Sequence, residues 1–574
     1  MTRTDTFVVG TLVLLLAIVA GLIGVPALSP AAATPSAEPT DPPVIEARPY
    51  REGILGGPVS VSPLTARTQV DRDLVALVFS GLMRNGPGAT LVPDLAERWT
   101  VDDTGTTWTV TLRQGATWHD GTPVTSADVV YTIRTMQDPA YVGPAAGSWS
   151  EVTVMAPSDH TVTFTLATPL GGFLQALTQP IAPVHILGEV PVDELPAHPF
   201  GQQPIGNGPF SLVELTPTSA SLLPTLGAPP EPDPTAGSTD SLGTALPTLR
   251  PDRPISYLDG IELRFALDPS SLISAFDAGD LDGISGLAPA TSVGLAAATG
   301  SRLLRYPGTT LTTVLLNQRP THPEFRDAAV RAALLGAIDR SAIVDEVYAG
   351  AAVPASGLIP PSDDLFDPEA DPGVSFDPAA AVVALEATRW NKGDDGWFLE
   401  GATDELTLEV LSPSQDSNPA LFATAARVVQ AWRAIDIDAT HVALPPGEFA
   451  TDRLATGAFD VAVTDVSIGM DPDLYPLLAS SQTLTGGSNV SGVQDRTLDQ
   501  LLSKARAPGS VEARTAAYTA LQAHLATGRY VLPIAFADEV VVVHPTLEGA
   551  EVRQVSDPSD RFWDVLTWRL ADGR

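Results

Sequence analysis

The segment Trp108-Thr-Val-Thr-Leu112, followed by Trp118-His-Asp-Gly-Thr-Pro-Val-Thr125 and Val129-Val-Tyr-Thr-Ile133, contains three local folding signals in succession. Its first part alternates apolar and polar residues with a period of two, which is typical of a half-buried β-strand. The residues Asp-Gly-Thr-Pro supply turn chemistry, and Thr125-Ser-Ala-Asp128 resembles a capping box at the start of a helix. This part of the chain therefore predicts a strand, a turn and a capped helix.

The same two patterns alternate along the rest of the chain. Val152-Thr-Val154 and Thr161-Val-Thr-Phe-Thr-Leu166 are strand-like, whereas residues 327–348 and 420–434 keep helical spacing. These patterns predict a mixed α/β fold. Because one hydrophobic core rarely organises more than roughly 250–300 residues, the 574 residues predict several domains.

The stretch 216–254 interrupts this alternation. It is rich in Pro, Gly, Ser and Thr and poor in periodic apolar residues. Such composition cannot bury enough apolar surface to order itself. We therefore expect a disordered surface insertion over residues 216–254.

The N-terminus contains an uncharged apolar segment, residues 7–28. It reaches the roughly 20 residues that a membrane-spanning helix needs, and predicts a transmembrane or signal-anchor helix. Arg3 precedes it, which favours a cytoplasmic N-terminus and an exported remainder. The alternative is a signal peptide cleaved near Ala31-Ala-Ala33 and secretion of the rest. Residues 29–43, rich in Pro, Ala, Thr and Ser, predict a disordered linker.

Composition and motifs exclude several functions. The formal net charge of −36 would repel a phosphate backbone, so nucleic acid is not an expected partner. Cysteine is absent, which excludes disulfides, thiolate metal sites and lipidation at cysteine. The sequence has no His-x-x-x-His pair, no Gly-x-Ser-x-Gly motif and no phosphate-binding loop. We therefore expect no catalytic residues, no metal ligands and no cofactor, and we predict that the protein is not an enzyme.

Several motifs, taken in order, closely resemble one family. They are Leu91-Val-Pro-Asp-Leu-Ala-Glu-Arg-Trp99, Trp118-His-Asp-Gly-Thr-Pro-Val-Thr125, Pro204-Ile-Gly-Asn-Gly-Pro-Phe210, Ala337-Ile-Asp-Arg340 and Asp471-Pro-Asp473. Their order and spacing are similar to those of the bacterial extracellular solute-binding proteins of family 5, which include oligopeptide-, dipeptide- and nickel-binding proteins of ABC importers. The resemblance covers roughly residues 44–570.

The resemblance implies a two-lobed periplasmic-binding-protein-like fold, of type II in a large variant with an extra subdomain. The lobes would be joined by crossover segments and would close on a solute between them. The ranges that follow from it are 44–80, 204–312 and 530–574 for the first lobe, 81–203 for the inserted subdomain, and 313–529 for the second lobe.

The resemblance also suggests residues that contact the ligand. Peptide-binding members hold the α-amino group with an Asp three residues before an acidic-Pro motif, and the corresponding residue here is Ile468. An apolar side chain cannot compensate a buried ammonium, so Asp465 is the candidate substitute. Met470 lies in the same segment. Asn317, after the strand-like residues 311–316, is expected at the lobe junction, where it contacts either the hinge or the ligand.

The expected function is capture of a small solute, a peptide in the first instance, by a monomer that delivers it to ABC permease subunits. The body would lie outside the cell, anchored to the membrane by the N-terminal helix. A binding protein for an oligosaccharide or cell-wall fragment is the main alternative, and Trp149 or Trp390 in the cleft would favour a sugar. A tethered sensor without a transporter stays open, and a secreted hydrolase is disfavoured.

Overall fold

A computed structural model describes residues 48–88, 90–146, 148–225, 256–394, 396–483 and 487–571. The predicted span 7–28 and linker 29–43 lie outside these ranges, as does most of the predicted insertion. Within the described ranges, no helix is both long and apolar enough to cross a membrane.

The first half of the chain forms short strands and helices. The strands are β1 (Tyr50–Leu55), β2 (Met83–Asn85), β3 (Leu91–Pro93), β4 (Ala96–Val101), β5 (Thr107–Leu112), β6 (Val152–Ser158), β7 (Thr161–Leu166), β8 (Phe210–Thr216), β9 (Ser219–Pro224), β10 (Ile261–Ala266) and β11 (Gly283–Ser285). The helices are α1 (Gln69–Val78), α2 (Ser126–Gln137), α3 (Phe173–Ala176), α4 (Val184–Leu187), α5 (Pro269–Asp277) and α6 (Pro289–Thr299), with 3₁₀ segments at Val192–Ala197 and Pro199–Gly201.

The second half contains the two longest strands. The strands are β12 (Arg302–Leu316), β13 (Ala352–Pro354), β14 (Trp390–Lys392), β15 (Trp397–Leu399), β16 (Thr407–Pro413), β17 (Asp438–Leu444), β18 (Val461–Ser467), β19 (Leu532–Val543), β20 (Leu547–Glu548) and β21 (Arg569–Leu570). The helices are α7 (Ala328–Gly336), α8 (Arg340–Val347), α9 (Pro378–Glu386), α10 (Pro419–Arg433), α11 (Tyr475–Leu478), α12 (Arg496–Ala505) and α13 (Val511–Gly528), with 3₁₀ segments at Pro323–Phe325, Ser480–Thr483 and Pro558–Thr567 and a π-helical segment at Glu448–Leu454.

Residues 108–133 adopt the expected strand and helix. β5 covers the predicted strand, and α2 begins directly after Thr125. The Asp128 carboxylate accepts the Thr125 N–H at 2.8 Å, which satisfies a backbone donor at the helix start. In the four-stranded sheet β4-β5-β7-β6, alternate residues of β5 and β7 are buried. The period-two prediction is thus confirmed for both strands.

Two predictions of local structure need correction. The helical spacing of residues 327–348 is divided between α7 and α8, because the Asp339 carboxylate accepts the Ala342 N–H and caps a second helix. The predicted disordered insertion 216–254 is ordered at its beginning. Residues 219–224 form β9, which pairs with both β8 and β10, so backbone pairing supplies the order that the composition did not suggest.

The largest sheet has the strand order β17-β16-β18-β12-β19-β11-β1-β10-β9-β8, with β13 pairing with β19 outside this path. Two groups of hydrophobic cores lie along it. One group uses residues between 50 and 306 and between 541 and 570, which we call body A. The other uses residues between 311 and 537, which we call body B. β12 and β19 each contribute to both groups and therefore cross from one body to the other.

The residues that form these cores can be compared with the predicted lobe ranges, which stay predictions. Residues Val531 to Ala537 pack with the cores of body B, whereas the sequence suggested that the last crossover precedes residue 530. Leu311 also packs in body B. The crossing falls at about 307–310 in β12, where the pairing of β12 with β19 is irregular between Pro307 and Leu311. A strand that is continuous across two cores gives no sequence signal at the point of crossing.

Candidate functional site

The strand directions place two sets of carboxyl ends at the crossover. In body A, β1 runs parallel to β10 and β11, and both β11 and β12 are antiparallel to β19. In body B, β16 is parallel to β17 and β18, and β18 is antiparallel to β12. Because β12 runs from A to B, the carboxyl ends of β1, β10 and β11 point towards B, and those of β16, β17 and β18 point towards A. In open α/β sheets, ligands bind at the carboxyl ends of strands, so the crossover is the candidate binding site.

On body A, the loop after β1 is held in a defined conformation by one carboxylate. Asp71, fully buried in α1, accepts the backbone N–H groups of Val59, Ser60, Arg67 and Thr68 at 2.6–2.9 Å. Four charge-assisted bonds to one side chain hold this loop in one conformation. The edge that body A presents to the crossover is therefore preorganised.

On body B, Asp465 lies near the carboxyl end of β18, opposite Thr312 of β12. The Thr312 hydroxyl donates to Asp465 Oδ1 at 2.7 Å and is itself 2.8 Å from Tyr348 Oη. The Asp465 side chain is exposed, yet surrounding protein desolvates it. This desolvation raises the pKa of Asp465, while the bonds from Thr312 and Asn418 oppose the rise. An accessible carboxylate in such surroundings would be stabilised by a cation.

A second carboxylate near the crossover belongs to β19. Glu539 is half-buried and pairs in register with Tyr306 of β12. Burial raises the pKa of Glu539 to about 7, and Asp557, Asp73 and Asp538 add to the rise while Arg561 opposes it. Glu539 is therefore partly protonated near neutral pH.

Behind this surface of body A lies a buried ion cluster. The guanidinium of Arg561 contacts Glu52 and Asp73, each at 2.8 Å, and all three side chains are at most 3% exposed. Tyr50 and Ser285 each donate a hydroxyl to Glu52. Burial opposes the charge of Arg561, but the two carboxylates outweigh it and raise its pKa well above the ordinary value. This cluster joins β1, α1, β11 and the 3₁₀ segment Pro558–Thr567 and is a structural element of body A.

The structure gives the other residues predicted near the ligand mainly internal contacts. Asn317 is fully buried; its amide donates to the carbonyls of Gly457 and Phe459, and its oxygen accepts the Arg319 N–H. Ile468 packs in a core of body B and donates its N–H to the Thr309 carbonyl. Met470 is half-buried. Asn317 thus has a structural role, and a ligand contact at Met470 stays a prediction.

The expectation that Trp149 or Trp390 lines the cleft does not agree with their positions. Trp149 packs against Phe164 and Phe173 in a core of body A. Trp390 packs against Trp397 in a core of body B and donates its indole N–H to the Glu324 carbonyl. Burial of a large aromatic ring stabilises the fold through its apolar surface. The ring surfaces that a sugar would contact are covered here by neighbouring side chains.

Sequence reasoning missed Thr312, Tyr348 and Glu539. Thr312 and Asp465 are 153 residues apart and meet only because β12 pairs with β18. No spacing in the sequence reveals this. In the part of the chain that the structure describes, no group of three or more His, Cys, Asp or Glu residues could hold a metal ion.

Two bodies that share one sheet and turn their strands' carboxyl ends towards the crossing define the class of a two-lobed solute-binding protein. A model of the family described as "Bacterial extracellular solute-binding proteins, family 5 Middle" matches residues 90–488. The chain belongs to this family, as the sequence motifs predicted.

Individual relatives agree with this assignment. The chain is 28% identical to Protein XP55 of Streptomyces lividans over 532 residues, covering 91% of this chain and 86% of the relative. It is 24% identical to the oligopeptide-binding protein AppA of Bacillus subtilis, covering 90% of this chain and 91% of the relative.

Solved structures show the fold. The structure of AppA from Bacillus subtilis in complex with a nonapeptide superposes with a TM-score of 0.70 at 20% identity, over 92% of this chain and all of that one. NikZ from Campylobacter jejuni in complex with Ni(L-His) gives a TM-score of 0.67 at 21% identity, over 91% of this chain and 99% of that one. The predicted mixed α/β, two-lobed periplasmic-binding-protein-like fold is thereby confirmed.

Proposed function

We propose that this protein is the extracytoplasmic substrate-binding component of an ABC importer and that it captures a peptide or a related small solute by closing its two bodies. The observation that carries the proposal is the meeting of two carboxyl edges at the crossover. A solute there contacts both bodies only when they approach, so it stabilises the closed state through its differential affinity. Family membership and the relatives' peptide-binding names support this function.

The ligand that fits this site carries a positive charge. Asp465 is accessible, receives hydrogen bonds from the neutral side chains of Thr312 and Asn418, and lies in a chain of net charge −36. We infer that its carboxylate receives an ammonium or guanidinium group of the solute, as Ile468 cannot. A peptide α-amino group is the first candidate. An oligosaccharide has less support, because Trp149 and Trp390 pack in cores.

The protein would act outside the cell without chemical conversion of the solute. Residues 7–28 support an N-terminal membrane anchor, with secretion after cleavage as the alternative, and permease subunits would be its partners. Two of the relatives are named as an oligopeptide-binding and a dipeptide-binding protein, which supports a role in binding. A monomer suffices, because both edges of the proposed site belong to one chain.

Native mass spectrometry of the purified full-length chain tests the proposal, since such sites often retain a solute. We expect one small molecule per chain, peptidic or otherwise cationic, that is released unchanged. The identified solute is then titrated by calorimetry into protein freed of ligand. Recovery of a chemically altered solute would contradict a binding role. Failure of all cationic peptides and solutes to bind, together with tight binding of a neutral sugar, would contradict the ligand class.

A further inference from the structure

A second contact joins the two bodies away from the crossing strands. The Gly171 N–H, in the segment after β7, donates to the Arg506 carbonyl at 2.9 Å. We call this contact the latch; on body A it consists of Gly105, between β4 and β5, and of Pro169, Gly171 and Gly172, after β7, and on body B of Asp471, Arg506, Ala507 and Pro508.

On the body A side of the latch, Gly105 and Gly172 have no room for a side chain. A Cβ added at Gly172 would lie 2.9 Å from Asp471 Cβ and closer still to its carboxylate, and one at Gly105 would lie 2.6 Å from Pro508 Cγ. Gly172 has φ −82° and ψ 11°, a conformation open to any residue. Its own backbone therefore does not require glycine. The requirement comes from Asp471, which belongs to the other body.

The body B side is held rigidly. Arg514 Nη2 contacts both carboxylate oxygens of Asp471 at 2.6 Å, and Arg506 contacts Asp473 at 2.9 Å. Arg506 also lies over the Tyr475 ring at 4.4 Å, and the Tyr518 hydroxyl donates to the Pro472 carbonyl at 3.1 Å. The motif Asp471-Pro-Asp473 is thus fixed by two arginines and a tyrosine and presents a preformed surface.

We propose that this contact is a latch that sets the balance between the closed and open arrangements of the two bodies. The inference rests on the proposed closing motion and adds a second determinant to it. The two sides of the latch lie on different bodies, so the proposed rotation about β12 and β19 would separate them. Its contacts therefore stabilise the closed state alone and act on ligand affinity without touching the ligand.

The absence of cysteine gives a direct test. Spin labels are attached at Asp103→Cys and Lys504→Cys, two exposed positions beside the latch on opposite bodies. Pulsed electron resonance on the full-length chain then measures the distance between the labels, with and without the solute found by mass spectrometry. With saturating solute we expect a short-distance population in the otherwise unchanged protein.

The decisive variant is Gly172→Ala. Overpacking at the latch should lower the closed-to-open ratio by about tenfold or more, and solute affinity should fall in proportion. Gly171→Ala, whose Cβ would be 3.3 Å from the Ala507 carbonyl oxygen, should show a smaller effect. In the Asp471→Gly protein the side chain that would overlap is gone. Adding Gly172→Ala there should leave the closed-to-open ratio as it is in Asp471→Gly alone. Gly294→Ala has open space around its Cβ and serves as the control.

The outcomes separate the two proposals. If the unchanged protein never shows the short distance with bound solute, the closing motion itself is wrong. If it closes and the folded Gly171→Ala and Gly172→Ala proteins close equally well, the latch is wrong and the proposed function stands. Thermal melts of each variant establish that it is folded, and Gly171→Ala provides the test should Gly172→Ala fail to fold.

Discussion

Two carboxylate regions near the crossing strands differ in how their charge is compensated. Glu52 and Asp73 are buried and share the Arg561 guanidinium, and hydroxyl groups satisfy Glu52 further. Asp465 is exposed near a strand end and receives hydrogen bonds from the neutral side chains of Thr312 and Asn418. Since an unpaired charge is tolerated only where something else can compensate it, the first region is part of the scaffold and the second is suited to a ligand.

The sharpest test of the first region is Arg561→Met. It leaves Glu52 and Asp73 buried without a counter-charge, so we expect a loss of about 3–5 kcal/mol in the free energy of unfolding, measured by urea denaturation. The control is Arg569→Met, which removes an exposed pair with Glu548 and should cost at most about 1 kcal/mol. Equal effects of the two substitutions would remove the distinction between scaffold and surface charges.

Glu539 lies between the two extremes and gives a pH test. Its pKa is about 7 in the folded protein against 4.5 ordinarily, so the native state binds the proton more tightly and loses stability as pH rises from about 4.5 to about 7. Glu539→Gln should therefore stabilise the protein at pH ~8 by up to about 3 kcal/mol and have little effect at pH ~4. Melting curves at both pH values measure this. Greater stabilisation at the lower pH would contradict the assignment.

For the second region, Asp465→Asn should impair binding and spare the fold. Because a cationic solute would lose its charge partner, we expect its affinity to fall by about 30-fold or more. Calorimetry measures this change. Because the pKa of Asp465 is raised by desolvation, affinity in the unchanged protein should also fall as acidic pH protonates it. The matched control is Asp452→Asn, an exposed carboxylate in the same body. Loss of stability with unchanged affinity would assign Asp465 to the scaffold instead.

The smallest expected effect belongs to Thr312→Val. It removes the hydroxyl that orients Asp465 and approaches Tyr348 but retains the carboxylate. We expect a loss of about 1 kcal/mol in stability and a loss of affinity of several-fold, smaller than that of Asp465→Asn. An effect on affinity larger than that of Asp465→Asn would show that Thr312 acts through something other than the carboxylate.

The same contrast explains what the sequence could predict. The strand Trp108-Thr-Val-Thr-Leu112 and the helix after Thr125 are local patterns, and both form as expected. The family motifs predicted the two-lobed fold. Trp149 and Trp390 could not be placed, because a large aromatic residue suits a core and a cleft equally well until its neighbours are known. The Tyr348, Thr312 and Asp465 arrangement depends on pairing across more than a hundred residues, which no local pattern encodes.

A crystal structure of the protein saturated with its co-purifying solute would show directly where the solute binds. We expect density for an unmodified solute between the carboxyl ends of β1, β10 and β11 and those of β16, β17 and β18, with a cationic group at the Asp465 carboxylate. Density confined to one body, or lying away from the crossing of β12 and β19, would contradict it.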